Sequence, residues 1–94
     1  QFALYTLGQA LLNARHCDRA LGAGYELLHL AEINGDPNAI WAHHLLGQAL
    51  ECMGKLPDAE MQLKLASQGD PGDATIAAEL QSVRQRLASP TSKQ

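Results

Sequence analysis

Apolar side chains along this chain recur at three- and four-residue steps. Leu4, Leu7, Leu11 and Ala14 step 3, 4, 3 along one face, which predicts a first helix over 1–14. Asp18 stands where an N-cap belongs, ahead of Arg19-Ala20-Leu21, and opens a second helix over 18–34. Ala20, Leu27, Leu28 and Ala31 carry its apolar face, and Tyr25 to Ile33 is nearly continuously amphipathic. Gly22 and Gly24 weaken that helix by about 1 kcal/mol each relative to alanine. Either a close helix contact or a kink accounts for them.

Asn34-Gly35-Asp36-Pro37 is a stop: Gly35 suits the left-handed position after a helix, and Pro37 cannot continue one. A third helix is predicted over 38–53, with Gly54 ending it. Pro57 fits the first turn of a fourth helix over 57–68, where Asp58 and Glu60 face the positive end of the dipole. Gly69-Asp70-Pro71-Gly72 repeats the stop, and Asp73 caps a fifth helix over 73–88 that ends with Arg84 and Arg86. Residues 89–94 read as a polar flexible tail. The fold class is all-α, and short turns favour antiparallel neighbours.

Composition narrows the picture further. Valine appears once, at Val83, which is poor material for a sheet. The formal net charge is −3, and only Arg84, Arg86 and Lys93 gather near one end. That is no footprint for nucleic acid. No apolar run approaches the ~20 residues of a membrane span.

The pentapeptide Leu7-Gly8-Gln9-Ala10-Leu11 recurs as Leu46-Gly47-Gln48-Ala49-Leu50, at an offset of 39. Ala20 and Ala59 share that offset, and the two Gly-Asp-Pro turns end 34 residues apart. A chain that repeats its small residues and turns repeats its packing. Gly8 and Gly47 are expected to let the partner helix of each hairpin approach, with Ala20 and Ala59 opposite.

This pattern resembles the tetratricopeptide-repeat (TPR) family, whose period is about 34 residues. The second repeat, about 40–73, matches best, through Leu46, Gly47, Leu50, Gly54, Ala59, Leu63, Ala66 and Pro71. Repeat one, about 1–37, keeps Leu4, Leu7, Gly8, Leu11 and Ala20, but has Arg15 at the usual turn glycine and a second helix longer by about one turn. The resemblance implies one domain over 1–88, a right-handed superhelix of antiparallel hairpins closed by a capping helix over 73–88. Glu79, Gln81, Arg84, Gln85 and Arg86 give that cap a polar outer face. The chain enters on Phe2-Ala3-Leu4 without a capping residue. We read that edge as continuing into a longer array or as covered by something else.

In this family the first helix of each hairpin lines a concave groove. The resemblance places Phe2, Tyr5, Gln9, Leu12 and Asn13 there from the first helix, and Trp41, His44, Gln48, Glu51 and Cys52 from the third. Aromatics supply contact area, and Gln or Asn can pair a peptide backbone. The expected partner is a peptide segment or helix of another protein. The alternative is a structural segment that self-associates through its N-terminal edge. With no Lys or Arg expected in the groove, a clamp on a terminal carboxylate is not expected.

Other chemistry finds little purchase. His43 and His44 point about 100° apart on a helix, and a metal set with His44, Gln48 and Cys52 needs a second strong donor. No cofactor site is expected. Glu51, Glu60 and Glu79 fall on separate helices at solvent-like positions, and the serines have no evident base. No catalytic residue is assigned. Cys17 and Cys52 form no C-x-x-C pair and read as free structural thiols. The alternative is a disulfide in an oxidising compartment, since both lie at one end of the stack. Compartment is left open, leaning to the cytoplasm.

Overall fold

A computed structural model of the chain describes residues 2–36 and 39–88. The predicted beginnings of the first and third helices at Gln1 and Asn38, the stop at Pro37 and the tail over 89–94 lie outside the described residues. The described residues form five helices: α1 Phe2–Asn13, α2 Cys17–Ile33, α3 Ile40–Cys52, α4 Leu56–Gly69 and α5 Ala74–Ala88. None is long and apolar enough to cross a membrane.

Local chemistry explains most boundaries. Gly35 and Gly54 adopt φ of 73° and 80°, the left-handed conformation that ends α2 and α3. Pro57 sits in the first turn of α4. Asp73 Oδ1 accepts the Thr75 and Ile76 N–H groups at 2.9 and 3.1 Å, so it caps α5 as expected. Asp18 does not cap α2. His16 holds that position without a side-chain bond, and Asp18 falls within the first turn, where its charge opposes the dipole. The helix starts one residue early, at Cys17.

Contacts between alternate helices share a register. Phe2 meets Trp41, Tyr5 meets His44, and Gln9 meets Gln48, each pair 39 residues apart. A constant positive offset means that α1 and α3 run parallel. His44 to Glu79 and Glu51 to Arg86 both span 35 residues, so α5 continues the row in the same direction. α2 and α4 return between them, antiparallel to α3.

The core lies between these two sets of helices. Leu45, Leu46, Leu63, Ile76 and Val83 are its largest fully buried side chains. Each contributes about 2 kcal/mol by leaving water. Ala20 and Ala59 are wholly buried, as the repeat requires. A Cβ on Gly47 would lie 2.6 Å from Leu63 Cγ, so glycine admits the hairpin partner there. Gly24 accommodates Leu46 of the next hairpin in the same way, whereas Gly22 faces open space. A close contact therefore explains Gly24, and nothing in the structure explains Gly22.

Gly8 differs from the expectation. Its space is filled by Leu45 of α3, in the following hairpin, and not by its own partner α2. The apolar face of α1 is also only partly used: Leu4 and Leu11 are half-buried, while Leu7 and Ala14 are exposed. The reason is positional, because among the described residues α1 packs against α2 and α3 alone.

Candidate functional site

The surface shared by α1, α3 and α5 carries one continuous chain of side-chain hydrogen bonds. Gln9 Nε2 donates to Gln48 Oε1 at 2.5 Å, and Gln48 Nε2 donates to Glu79 Oε2 at 3.1 Å. The other carboxylate oxygen, Glu79 Oε1, lies 2.6 Å from His44 Nε2. A carboxylate only accepts, so Nε2 is the donor. In the neutral ring Nδ1 is then left to accept the Tyr5 hydroxyl, 3.0 Å away. His44 is buried by this arrangement, with 9% of its surface exposed. No buried side-chain nitrogen or oxygen among the described residues lacks a partner.

Glu79 is the hub that sequence reasoning missed. It does not stand on the outer face of a cap. It turns inward and joins α5 to α3. Glu51 and Glu60 are likewise not free in solvent: Arg86 Nη1 reaches Glu51 at 2.8 Å, and Arg84 Nε reaches Glu60 at 3.0 Å. A signal was present in the 35-residue spacing of His44 to Glu79 and Glu51 to Arg86, close to the 34-residue spacing of the turns.

At one end of the stripe the aromatic residues gather. Trp41 lies 5.7 Å from Phe2 and 5.4 Å from Tyr5, centroid to centroid, tilted 59° and 37°. These offset, tilted contacts suit the ring quadrupoles. Phe2, Tyr5, Trp41 and His44 line a cleft of about 330 Å³, opposite Asp70, Asp73 and Thr75. Burial pushes the Tyr5 phenol above its ordinary value, and the charges of Glu79 and Asp73 push in the same direction.

At the other end a second cleft is lined by Leu12, Gln48, Glu51 and Cys52. It also holds Arg15 and Arg86, so the expectation of a groove free of Lys and Arg is corrected. Arg86 enters because α5 forms the third wall. Asn13 is exposed and lines neither cleft. Cys17 and Cys52 are paired in a disulfide, with Cα atoms 5.9 Å apart. That separation lies within the range that permits a bridge. The reading as free thiols is therefore replaced by a staple between the start of α2 and the end of α3.

No protein-family model, no curated protein and no solved structure matches this chain.

Proposed function

We propose that this chain is a protein-interaction module of tetratricopeptide-repeat type, whose partner's peptide segment or helix lies along the α1–α3–α5 surface. The observation that carries the reading is the in-register row of Phe2–Trp41, Tyr5–His44 and Gln9–Gln48. It gives one face aromatic side chains at a single end, on a floor already fixed by hydrogen bonds. Trp41 and Phe2 remain 42% and 67% exposed there. A floor whose polar groups are bonded to one another loses no hydrogen bond when a partner covers it. The glutamines therefore act as scaffold, and the aromatic and charged rim makes the contacts. No catalytic step is assigned to these residues.

The test compares capture of proteins from source lysate by the parent chain and by a Trp41→Ala/His44→Ala/Gln48→Ala variant. Circular dichroism checks that both stay helical. A protein held only by the parent supports the groove. Equal capture by both chains, or none by either, removes the support.

A second reading rests on Leu7. Its repeat equivalent Leu46 is 1% exposed and packed over Gly24, whereas Leu7 is 52% exposed on the outer side of α1. An edge of this kind suits a further hairpin or self-association. Sedimentation of the parent and a Leu7→Glu variant separates the two readings. Concentration-dependent mass that vanishes in the variant favours the edge.

A further inference from the structure

Beside the hydrogen-bonded stripe, the aromatic cleft brings together ring faces and carboxylates. Phe2, Tyr5 and Trp41 form one side. The connection between α4 and α5 brings Asp70 and Asp73 to the other. Asp73 uses Oδ1 to cap α5. Asp70 is exposed, and its carboxylate makes no hydrogen bond or ion pair among the described residues. Among the described residues no Lys or Arg lines this cleft, and Arg15 and Arg86 line the cleft at the opposite end.

Charge decides what such a cleft can take. The beginnings of α1, α3 and α5 converge at this end, and their partial positive charges oppose a cation. Each amounts to roughly half a charge, and Asp73 already offsets the one on α5. Asp70 and Asp73 bring a full negative charge each, and Glu79 a third close by. The raised Tyr5 phenol reports the same field, since after burial its causes are Glu79 and Asp73. Aromatic faces beside carboxylates suit a cation that can stack, which an anion or a neutral chain does not exploit.

We propose that this cleft is the subsite for the guanidinium of an arginine on the partner's peptide segment, an assignment that rests on the groove reading above. The planar guanidinium stacks on the exposed Trp41 ring while its fork of N–H donors reaches the Asp70 carboxylate. Lysine offers a point charge without the plane. The partner segment thus runs with an arginine at the aromatic end and away from the arginines at the disulfide end.

Trp41 is the sole tryptophan, so its emission reports the cleft directly. The probes are acetyl-Ala-Arg-Ala-amide and the same peptide with citrulline, which keeps the shape and removes the charge. The arginine peptide is expected to give a saturable change and the citrulline peptide to bind about tenfold more weakly. Asp70→Asn/Asp73→Asn removes both charges while Asn keeps the cap at 73. It is expected to lose about tenfold in affinity for the arginine peptide, with unchanged circular dichroism. No saturable response, equal binding of the two peptides, or full affinity in the Asn variant overturns the subsite. The groove reading is separable from it. If the Asn variant captures the lysate partner as the parent does while Trp41→Ala/His44→Ala/Gln48→Ala does not, only the arginine subsite falls. If all three chains capture alike, the groove falls with it.

Discussion

Arg15 and Gly54 hold the same left-handed backbone, φ 67° and 80°, at turns separated by the 39-residue offset that also relates Tyr5 to His44. The first hairpin therefore keeps the turn and lacks the residue suited to it. A side chain in that conformation costs roughly 1–2 kcal/mol, against roughly 0.5–1 kcal/mol for the extra freedom glycine has when unfolded. Arg15→Gly is expected to stabilise the chain by about 0.5–1 kcal/mol, read as a higher urea midpoint. Gly54→Ala is expected to move the midpoint the other way.

Two glycines two residues apart on α2, about half a turn, should respond with opposite signs. An added Cβ at Gly24 meets Leu46 Cδ2 at 2.7 Å and the Leu46 backbone nitrogen at 3.3 Å, whereas at Gly22 it meets nothing within 4 Å. Gly24→Ala is expected to cost about 1–3 kcal/mol through overpacking. Gly22→Ala is expected to gain about 0.5–1 kcal/mol through helix propensity. Thermal denaturation of the two variants side by side checks both; equal shifts would refute the close approach of α2 and α3.

The Cys17–Cys52 bridge spans 35 residues of chain. Closing a loop of that length in the unfolded state is worth about 2–4 kcal/mol. Reduction, or a Cys17→Ser/Cys52→Ser variant, is expected to lower the chemical denaturation midpoint accordingly while the helical signal persists in water. A parent chain indifferent to reductant contradicts the pairing.

His44 and Glu79 lie 2.6 Å apart with side chains 11% and 26% exposed. Glu79→Ala strands the His44 donor and releases Gln48, at an expected cost of about 1–3 kcal/mol. A double-mutant cycle with His44→Ala should return a coupling of about 0.5–3 kcal/mol. Additive losses would show that the pair is incidental.

Alkaline pH gives an independent readout. The folded Tyr5 phenol titrates above 10.0, held up first by burial and then by Glu79 and Asp73. Above that value the unfolded chain releases the proton first, so it binds fewer protons than the native chain and stability falls. The contribution is fully present below pH 10.0 and is lost as pH rises through the folded value. Ultraviolet titration of a Tyr25→Phe variant isolates Tyr5, and Tyr5→Phe should flatten this part of the stability profile.

Much of the architecture is legible in residue order. Gly35, Gly54 and Pro57 mark turns through their own backbone preferences, and the helix boundaries expected within the described residues lie within one residue of their places. The repeated pentapeptide exposes the α1–α3 row through its matched Gln9 and Gln48, although Gly8 meets Leu45 where Gly47 meets Leu63. The position of α5 was harder to read. Its polar residues look like a solvent face in one dimension, and only the turn of the helix shows that Glu79 points inward while Gln81 points out. The bridge was legible only as the alternative to free thiols, since sequence separation does not give a Cα distance. Arg15 hides its turn because the left-handed backbone is expected of glycine.

The parallel row has a further consequence, for how the chain assembles. The side-chain bonds between α1, α3 and α5 close loops of 31 to 39 residues. The entropy of closing a loop grows only logarithmically, so each step of the row carries nearly the same cost. Folding can therefore begin at either hairpin and spread to its neighbour without first bringing the chain ends together. Short-range topologies of this kind fold in microseconds to milliseconds, and the α3–α4 hairpin, with Gly47 seated on Leu63, is the natural place for that process to start.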